Sequence, residues 1–94
     1  MPEHYVVESY SNELTDASAR ADVARIAVEA HLLRDEGQCV ALLGCLVIPD
    51  DEVCFWRFAG SSMRAVETVS RRAGLDVQRI TRSLDIAHEN GGVA

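Results

Sequence analysis

The middle of the chain has the pattern of a β-hairpin, and this pattern limits the fold more than any other feature. Val40–Ile48 is an almost continuous apolar run of strand length, and residues 53–58 form a second run rich in aromatic residues. Residues 49–52 (Pro-Asp-Asp-Glu) suit a type I turn, because proline presets the backbone angle of the second turn position. The sequence therefore predicts two neighbouring antiparallel strands.

A strand and a helix are predicted before this hairpin. Residues 4–10 are rich in β-branched and aromatic residues, which is typical of a strand. Thr15 or Asp16 can then cap a helix, because either side chain can accept a hydrogen bond from the first helical turn. Gly37 is placed to end this helix, since glycine adopts the left-handed conformation easily.

A second helix and a last strand are predicted after the hairpin. Ser61 or Ser62 can cap the helix, Gly74 can end it, and residues 77–86 read as a moderately apolar strand. The resulting order is strand, helix, strand, strand, helix, strand. It predicts an α+β, ferredoxin-like fold of the split βαβ type, with a four-stranded antiparallel sheet and both helices on one face.

Length and charge narrow the class of protein. The 94 residues suffice for a single domain, which we predict to cover residues 1–86, with residues 87–94 as a flexible C-terminal tail. A formal charge of −6 disfavours binding to nucleic acid, and the longest apolar run is too short to cross a membrane. The N-terminal residues carry neither a basic nor an apolar signal region, so the expected location is cytoplasmic.

The three cysteines, Cys39, Cys45 and Cys54, do not form a C-x-x-C pair. Their odd number does not suit a disulfide framework, and their spacing does not suit a structural zinc site. All three lie among aliphatic residues. The sequence therefore predicts three small buried side chains.

The alternation of side chains between the two faces of a strand predicts an apolar face that no helix covers. The residues assigned to the face beneath the helices are Cys54, Trp56, Phe58, Leu43, Cys45 and Val47. Those assigned to the opposite, open face are Arg57, Val53, Phe55, Leu42, Leu46 and Ile48. The alternative is that this assignment is out by one residue.

An apolar face of this kind predicts an interface. Each such side chain would contribute about 1.5–3 kcal/mol if it were buried, and exposed apolar patches usually mark binding surfaces. The simplest cover is the same face of a second copy, related by a two-fold axis. We therefore expect a homodimer formed through the sheet face, and we expect Phe55→Asp to dissociate it.

Polar side chains are expected to border the open face. If the odd-numbered residues of the first strand pack beneath the helices, then His4, Glu8 and Tyr10 share the open face with Arg57, an arrangement typical of a small-ligand pocket. His4 and Glu8 would be about 13 Å apart, so a metal site would combine Glu8 with a group from another strand or from the second copy. The alternative without a ligand is an ion pair between Glu8 and Arg57 at the rim of the dimer, with Tyr10 packed so that its hydroxyl group faces water.

Several short segments resemble one known family. They are YVVESY at residues 5–10, LG at 43–44, PDDEVCF at 49–55, RRAGL at 71–75 and RI at 79–80. In order and spacing they resemble a bacterial domain-of-unknown-function family known as nickel-binding-protein-like. The resemblance implies a dimeric ferredoxin-like fold and a bound Ni²⁺ or other divalent metal ion, for which Glu8 is the candidate ligand. Where some relatives carry a histidine, this chain has Val69.

The sequence favours a binding domain over an enzyme. It contains no G-x-G-x-x-G, Walker or H-E-x-x-H motif. We expect a small homodimeric binding or accessory domain that holds a small molecule or a divalent metal at the sheet face. One alternative is a cofactor-independent oxygenase or isomerase of the dimeric α+β barrel kind, in which His4 or Glu8 would face a cavity between sheet and helices. Another is a domain that mainly docks onto a different protein.

Overall fold

The computed structural model describes residues 2–86, which form one antiparallel sheet with two helices packed against it. In chain order the elements are β1 (Glu3–Tyr10), α1 (Asp16–Asp35), β2 (Val40–Ile48), a 3-10 turn (Pro49–Asp51), β3 (Val53–Gly60), α2 (Met63–Arg72) and β4 (Val77–Ser83). The four strands lie in the order β2-β3-β1-β4. This arrangement confirms the predicted ferredoxin-like fold. The predicted tail, residues 87–94, lies outside the described residues.

Both helices begin and end at predicted residues. Thr15 Oγ1 accepts a hydrogen bond from the backbone N–H of Ser18 at 3.0 Å, and Ser18 Oγ accepts one from the N–H of Thr15 at 2.9 Å, which together form a capping box. Ser62 Oγ caps α2 by accepting one hydrogen bond from the backbone N–H of Ala65 at 3.1 Å. Gly37 and Gly74 follow the helices with φ of 90° and 86°, which glycine adopts without strain. Within residues 2–86, neither helix has the length and apolar character needed to cross a membrane.

The core lies between the helices and the two central strands. Trp56 and Phe58 of β3 and Val7 of β1 are fully buried there, together with Ile26 of α1. Val69 of α2 is also fully buried. Its role in this chain is therefore apolar packing between α2 and the sheet.

A β-bulge in β2 overturns part of the predicted alternation. Leu42 lies opposite Phe58 and Gly44 lies opposite Arg57, so Leu43 is an extra residue without a partner. Leu42 consequently packs against the core, whereas Leu43 is 44% exposed. The predicted faces of Leu42 and Leu43 were wrong, and the residues of β2 after the bulge keep the faces assigned to them.

The chain turns onto the open face of the sheet after β4. The last strand ends at Ser83 and is shorter than predicted. Arg57 of β3 donates a hydrogen bond to Asp85 at 3.2 Å. Because β1 separates β3 from β4, this contact places the segment after β4 across β1. The side chains of Leu84 and Ile86 in this segment are 82% and 79% exposed.

Only one of the three cysteines is buried as predicted. Burial, followed by the charge and the hydrogen bond of Cys45, raises the pKa of the Cys54 thiol to about 12. Cys39 and Cys45 are exposed. Cys45 lies on the helix-covered side but belongs to β2, which is an edge strand, and α1 does not cover it completely. The prediction of three buried thiols was therefore wrong for two of them.

Candidate functional site

The face of the sheet opposite the helices carries apolar side chains on β2, β3 and β1. Its apolar side chains are Val6, Leu43, Leu46, Ile48, Val53 and Phe55. Leu46 is 61% exposed. Since both helices pack on the other face, residues 84–86 are the one part of the described chain that turns onto this face.

Glu8 lies in the middle of the open face. Leu46, Phe55, Glu8 and Arg79 lie directly opposite one another in the four strands. Neighbouring strands are about 4.8 Å apart, so the Glu8 carboxylate lies between an aromatic ring and an arginine. Arg79 also donates a hydrogen bond from Nε to Thr81 Oγ1 at 3.0 Å. Sequence reasoning missed Arg79, although the predicted topology, which pairs the first strand with the last, could have found it.

Tyr10 follows Glu8 on the same face of β1. A side-chain hydrogen bond with Glu8, and then the negative charge of Glu8, raise the pKa of Tyr10 above its ordinary value. Partial burial and the more distant charge of Asp51 act in the same direction. The phenol therefore stays protonated at neutral pH and is available as a hydrogen-bond donor beside a carboxylate.

Replacing Glu8 by glutamine is expected to lower the pKa of Tyr10 towards its ordinary value, because glutamine carries no charge that opposes phenolate formation. The measurement is an ultraviolet absorbance titration of the phenolate band. The pKa of Tyr5 is also raised, by burial and by Glu3, so Tyr10→Phe identifies which of the two transitions belongs to Tyr10. An unchanged Tyr10 titration in Glu8→Gln would contradict the assignment.

His4 and Arg57 meet at the opposite end of β1. Arg57 lies opposite Val6, which makes His4 and Glu8 its two diagonal neighbours. The guanidinium pairs with Asp85, and His4, Arg57 and Asp85 line a small cavity of about 110 Å³. Within the described residues of one chain, Arg57 pairs with Asp85 and not with Glu8, and an ion pair between Glu8 and Arg57 at the rim of a dimer stays a prediction. The four predicted site residues thus share one face, where Glu8 lies beside Tyr10 and His4 lies beside Arg57.

A larger cavity of about 310 Å³ lies on the helix side of the sheet, beneath the connection between β1 and α1. Its walls include Ser9, Trp56, Arg25 and Asp76. They come from β1, β3, α1 and the segment between α2 and β4, so tertiary packing alone brings them together and sequence reasoning missed them. Neither His4 nor Glu8 lines this cavity. The enzyme alternative, which needs one of those residues to face such a cavity, gains no support.

The residues present in one chain do not fit the nickel ion that the family resemblance implies. Among residues 2–86, no three His, Cys, Asp or Glu side chains are grouped so that they could hold a metal ion. Glu8, the candidate ligand, has Arg79 directly beside it in β4. A guanidinium in this position competes electrostatically with a divalent cation for the carboxylate.

Comparison with known proteins supports the fold. The crystal structure of SCO4226 from Streptomyces coelicolor A3(2) is similar to this chain, with a TM-score of 0.64 and 20% sequence identity. The similarity covers 89% of this chain and 99% of that chain. At this level of identity the likeness shows a shared fold alone. No protein-family model matches the chain, and no curated protein shows significant similarity to it.

Proposed function

We propose that this chain is a homodimeric binding domain whose two copies join through their open sheet faces and enclose a small-ligand pocket. The observation that carries the proposal is the apolar face that both helices leave uncovered, on which Leu46 of the edge strand β2 is 61% exposed. Burial of such side chains is the main source of free energy in protein association. With a two-fold axis through this face, the same side chains of both copies would be buried in one interface.

The charges of the open face suit a second copy of the chain. Glu8 and Asp85 are negative and Arg57 and Arg79 are positive, so the face is neutral in a chain whose formal charge is −6. Two such faces can meet without the like-charge repulsion that the acidic remainder of the surface would cause. Any other partner would need to match the same neutral, apolar surface.

The segment after β4 supports the same proposal. Leu84 and Ile86 are large apolar side chains with 82% and 79% exposure, and the pair between Arg57 and Asp85 holds their segment against the open face. A second copy placed on this face would cover both side chains together with Leu46. One interface would therefore account for the most exposed apolar residues of the sheet side.

The pocket that we propose lies between the two faces, around Glu8, Tyr10, Arg57 and His4. Its floor is apolar and its edges carry a carboxylate, a phenol, an imidazole and a guanidinium, which can orient a small organic molecule by hydrogen bonds. A small molecule is favoured over a metal because Arg79 lies beside Glu8. The cytoplasmic location and the lack of nucleic-acid binding stay predictions.

Two measurements test the proposal. The first is the mass of the protein in solution, and the second is the mass of any small molecule that stays bound to it. Multi-angle light scattering at micromolar concentration is expected to give twice the chain mass of 10.3 kDa. A single-chain mass would refute the dimer and the pocket together. Native mass spectrometry of the untagged protein then shows whether the dimer carries a small molecule, seen as a discrete excess over twice the chain mass.

Titration with Ni²⁺ is expected to give no saturable heat in an isothermal calorimeter, because Glu8 has an arginine neighbour and the described residues offer no three-ligand group. The untagged protein must be used, since a histidine tag binds nickel. A near-stoichiometric heat that disappears in Glu8→Ala would contradict this expectation. In that case the remaining ligands would have to come from the second copy.

A further inference from the structure

We propose that the two open faces meet with their ends exchanged, so that residues 84–86 of each copy lie on the apolar end of the partner's face. This inference rests on the dimer proposed above and adds the alignment of its two copies. It also assigns one wall of the pocket beside Glu8 to the partner chain. The shape of the face, one glycine and the distribution of charges support this alignment over the one in which like ends meet.

The pairing of the strands orders the open face into four rows. From one end of the sheet to the other, the paired residues of β1 and β3 are His4 with Ala59, Val6 with Arg57, Glu8 with Phe55 and Tyr10 with Val53. In β2, Gly44 belongs to the Arg57 row and Leu46 to the Phe55 row. We call the half that contains Arg57 the covered end and the half that contains Phe55 the apolar end.

The segment after β4 makes the open face uneven. Because Asp85 pairs with Arg57, residues 84–86 lie on the covered end of their own sheet and leave the apolar end bare. Leu84 and Ile86 are strongly exposed, so their side chains are available to a partner. If like ends met, the two segments would stack on each other and hold the apolar ends apart. With the ends exchanged, each segment fills the space above the partner's apolar end.

Gly44 and Leu46 of β2 are complementary in the exchanged alignment. A two-fold axis that crosses the strands between their two rows keeps each strand over its own counterpart and exchanges the rows. Leu46 of one copy then lies over Gly44 of the other. A Cβ added at Gly44 would meet only Arg57 Nη1, at 3.6 Å, so the missing side chain leaves room on this face for the leucine.

The charges also favour exchanged ends. The same axis brings Glu8 of one copy to within about one strand spacing, or about 4.8 Å, of the line of the partner's Arg57. An ion pair can form there across the interface, as the sequence predicts for the rim of the dimer. If like ends met, with the axis parallel to the strands, Arg79 would instead lie on the partner's Leu46. A guanidinium buried on an apolar side chain without a partner costs free energy.

The first test removes the two apolar side chains of the segment. In a chain that carries both Leu84→Ser and Ile86→Ser, we expect the dissociation constant of the dimer to rise at least about a hundredfold, because four apolar side chains leave the interface. Both positions are strongly exposed in the single chain, so the substitutions remove no core packing. Leu32→Ser on α1 is the control and is expected to leave the constant unchanged. Sedimentation velocity over a concentration series measures all three proteins.

The second test mixes two variants, Leu46→Arg and Gly44→Glu, each of which is expected to weaken its own homodimer. In the mixture the new guanidinium of one chain lies over the new carboxylate of the other. We expect a heterodimer at least about tenfold tighter than either homodimer. Leu46→Arg mixed with Thr81→Glu is the matched control, because Thr81 lies in the row of Gly44 but three strands away, on β4. A heterodimer no tighter than that of the control pair would overturn the exchanged alignment.

The outcomes separate this inference from the proposed function. A single-chain mass for the unsubstituted protein refutes both. A dimer whose dissociation constant is unchanged by the combined Leu84→Ser and Ile86→Ser substitutions refutes the exchanged ends and leaves a dimer through the sheet face standing. A dimer that these substitutions dissociate, and that Leu32→Ser does not, supports both.

Discussion

Replacing Leu46 by glutamate is expected to convert the proposed homodimer into a monomer that remains folded. In an isologous interface the substitution removes two buried leucines, each worth about 1.5–3 kcal/mol. The dissociation constant should therefore rise between about a hundredfold and ten-thousandfold. Leu46 is 61% exposed in the single chain, so the monomer itself loses little packing. Sedimentation velocity over a concentration series measures the change.

The matched control for this prediction is Leu32→Glu. Leu32 is also a large exposed side chain, 46% exposed, but it lies on α1 and points away from the sheet. If the proposed dimer forms through the sheet face, this variant is expected to dimerise with the same affinity as the unsubstituted chain. If Leu32→Glu dissociates the dimer and Leu46→Glu does not, the interface lies on the helices. Phe55→Asp should also dissociate the dimer, but Phe55 is half-buried in the single chain, so this variant alone would not separate dissociation from unfolding.

The element order could be predicted because each boundary has its own local signal. Thr15 and Ser62 can cap helices through their hydroxyl groups, and Gly37 and Gly74 can take a positive φ where a helix ends. These properties depend on the residue and its immediate neighbours. Periodicity then distinguishes helix from strand between the boundaries. The ferredoxin-like fold follows from this order without further information.

The faces of Leu42 and Leu43 could not be predicted from the sequence, because the bulge at Leu43 depends on pairing across the sheet. Leu42, Leu43 and Gly44 are all compatible with either face, so their composition does not show where the extra residue lies. Gly44 is the one local signal, since an isolated glycine within a strand often accompanies a bulge. A single inserted residue reverses the faces of everything before it.

The candidate site was predictable where it depended on one strand and was missed where it depended on several. The alternation along β1 correctly placed His4, Glu8 and Tyr10 on the face opposite the core. The partner of Arg57 within the chain was missed, because Asp85 reaches it only when the chain leaves β4 after Ser83 and crosses β1. Such a path is set by packing and has no periodic signature in the sequence.

Replacing Trp56 by alanine is expected to lower the free energy of unfolding by about 3–5 kcal/mol. Trp56 is completely buried, and its Nε1 donates to Ser9 Oγ at 2.8 Å. The substitution leaves a cavity in the centre of the core and removes this hydrogen bond. Because small domains are stable by only about 5–15 kcal/mol, a large part of the total would be lost. Urea denaturation followed by circular dichroism measures it in the Leu46→Glu background, where dimerisation does not contribute.

A double-mutant cycle separates the two contributions of Trp56. Trp56→Phe keeps most of the buried volume and removes the donor, whereas Ser9→Ala removes the acceptor. If the hydrogen bond matters, the combined variant loses less stability than the sum of the two single variants, by about 0.5–1.5 kcal/mol. Strict additivity would show that Trp56 stabilises the core through its volume alone. If Trp56→Ala lowers the free energy of unfolding by less than about 1 kcal/mol, the central place of Trp56 in the core is contradicted. Replacing a buried tryptophan by alanine typically costs about 3–5 kcal/mol.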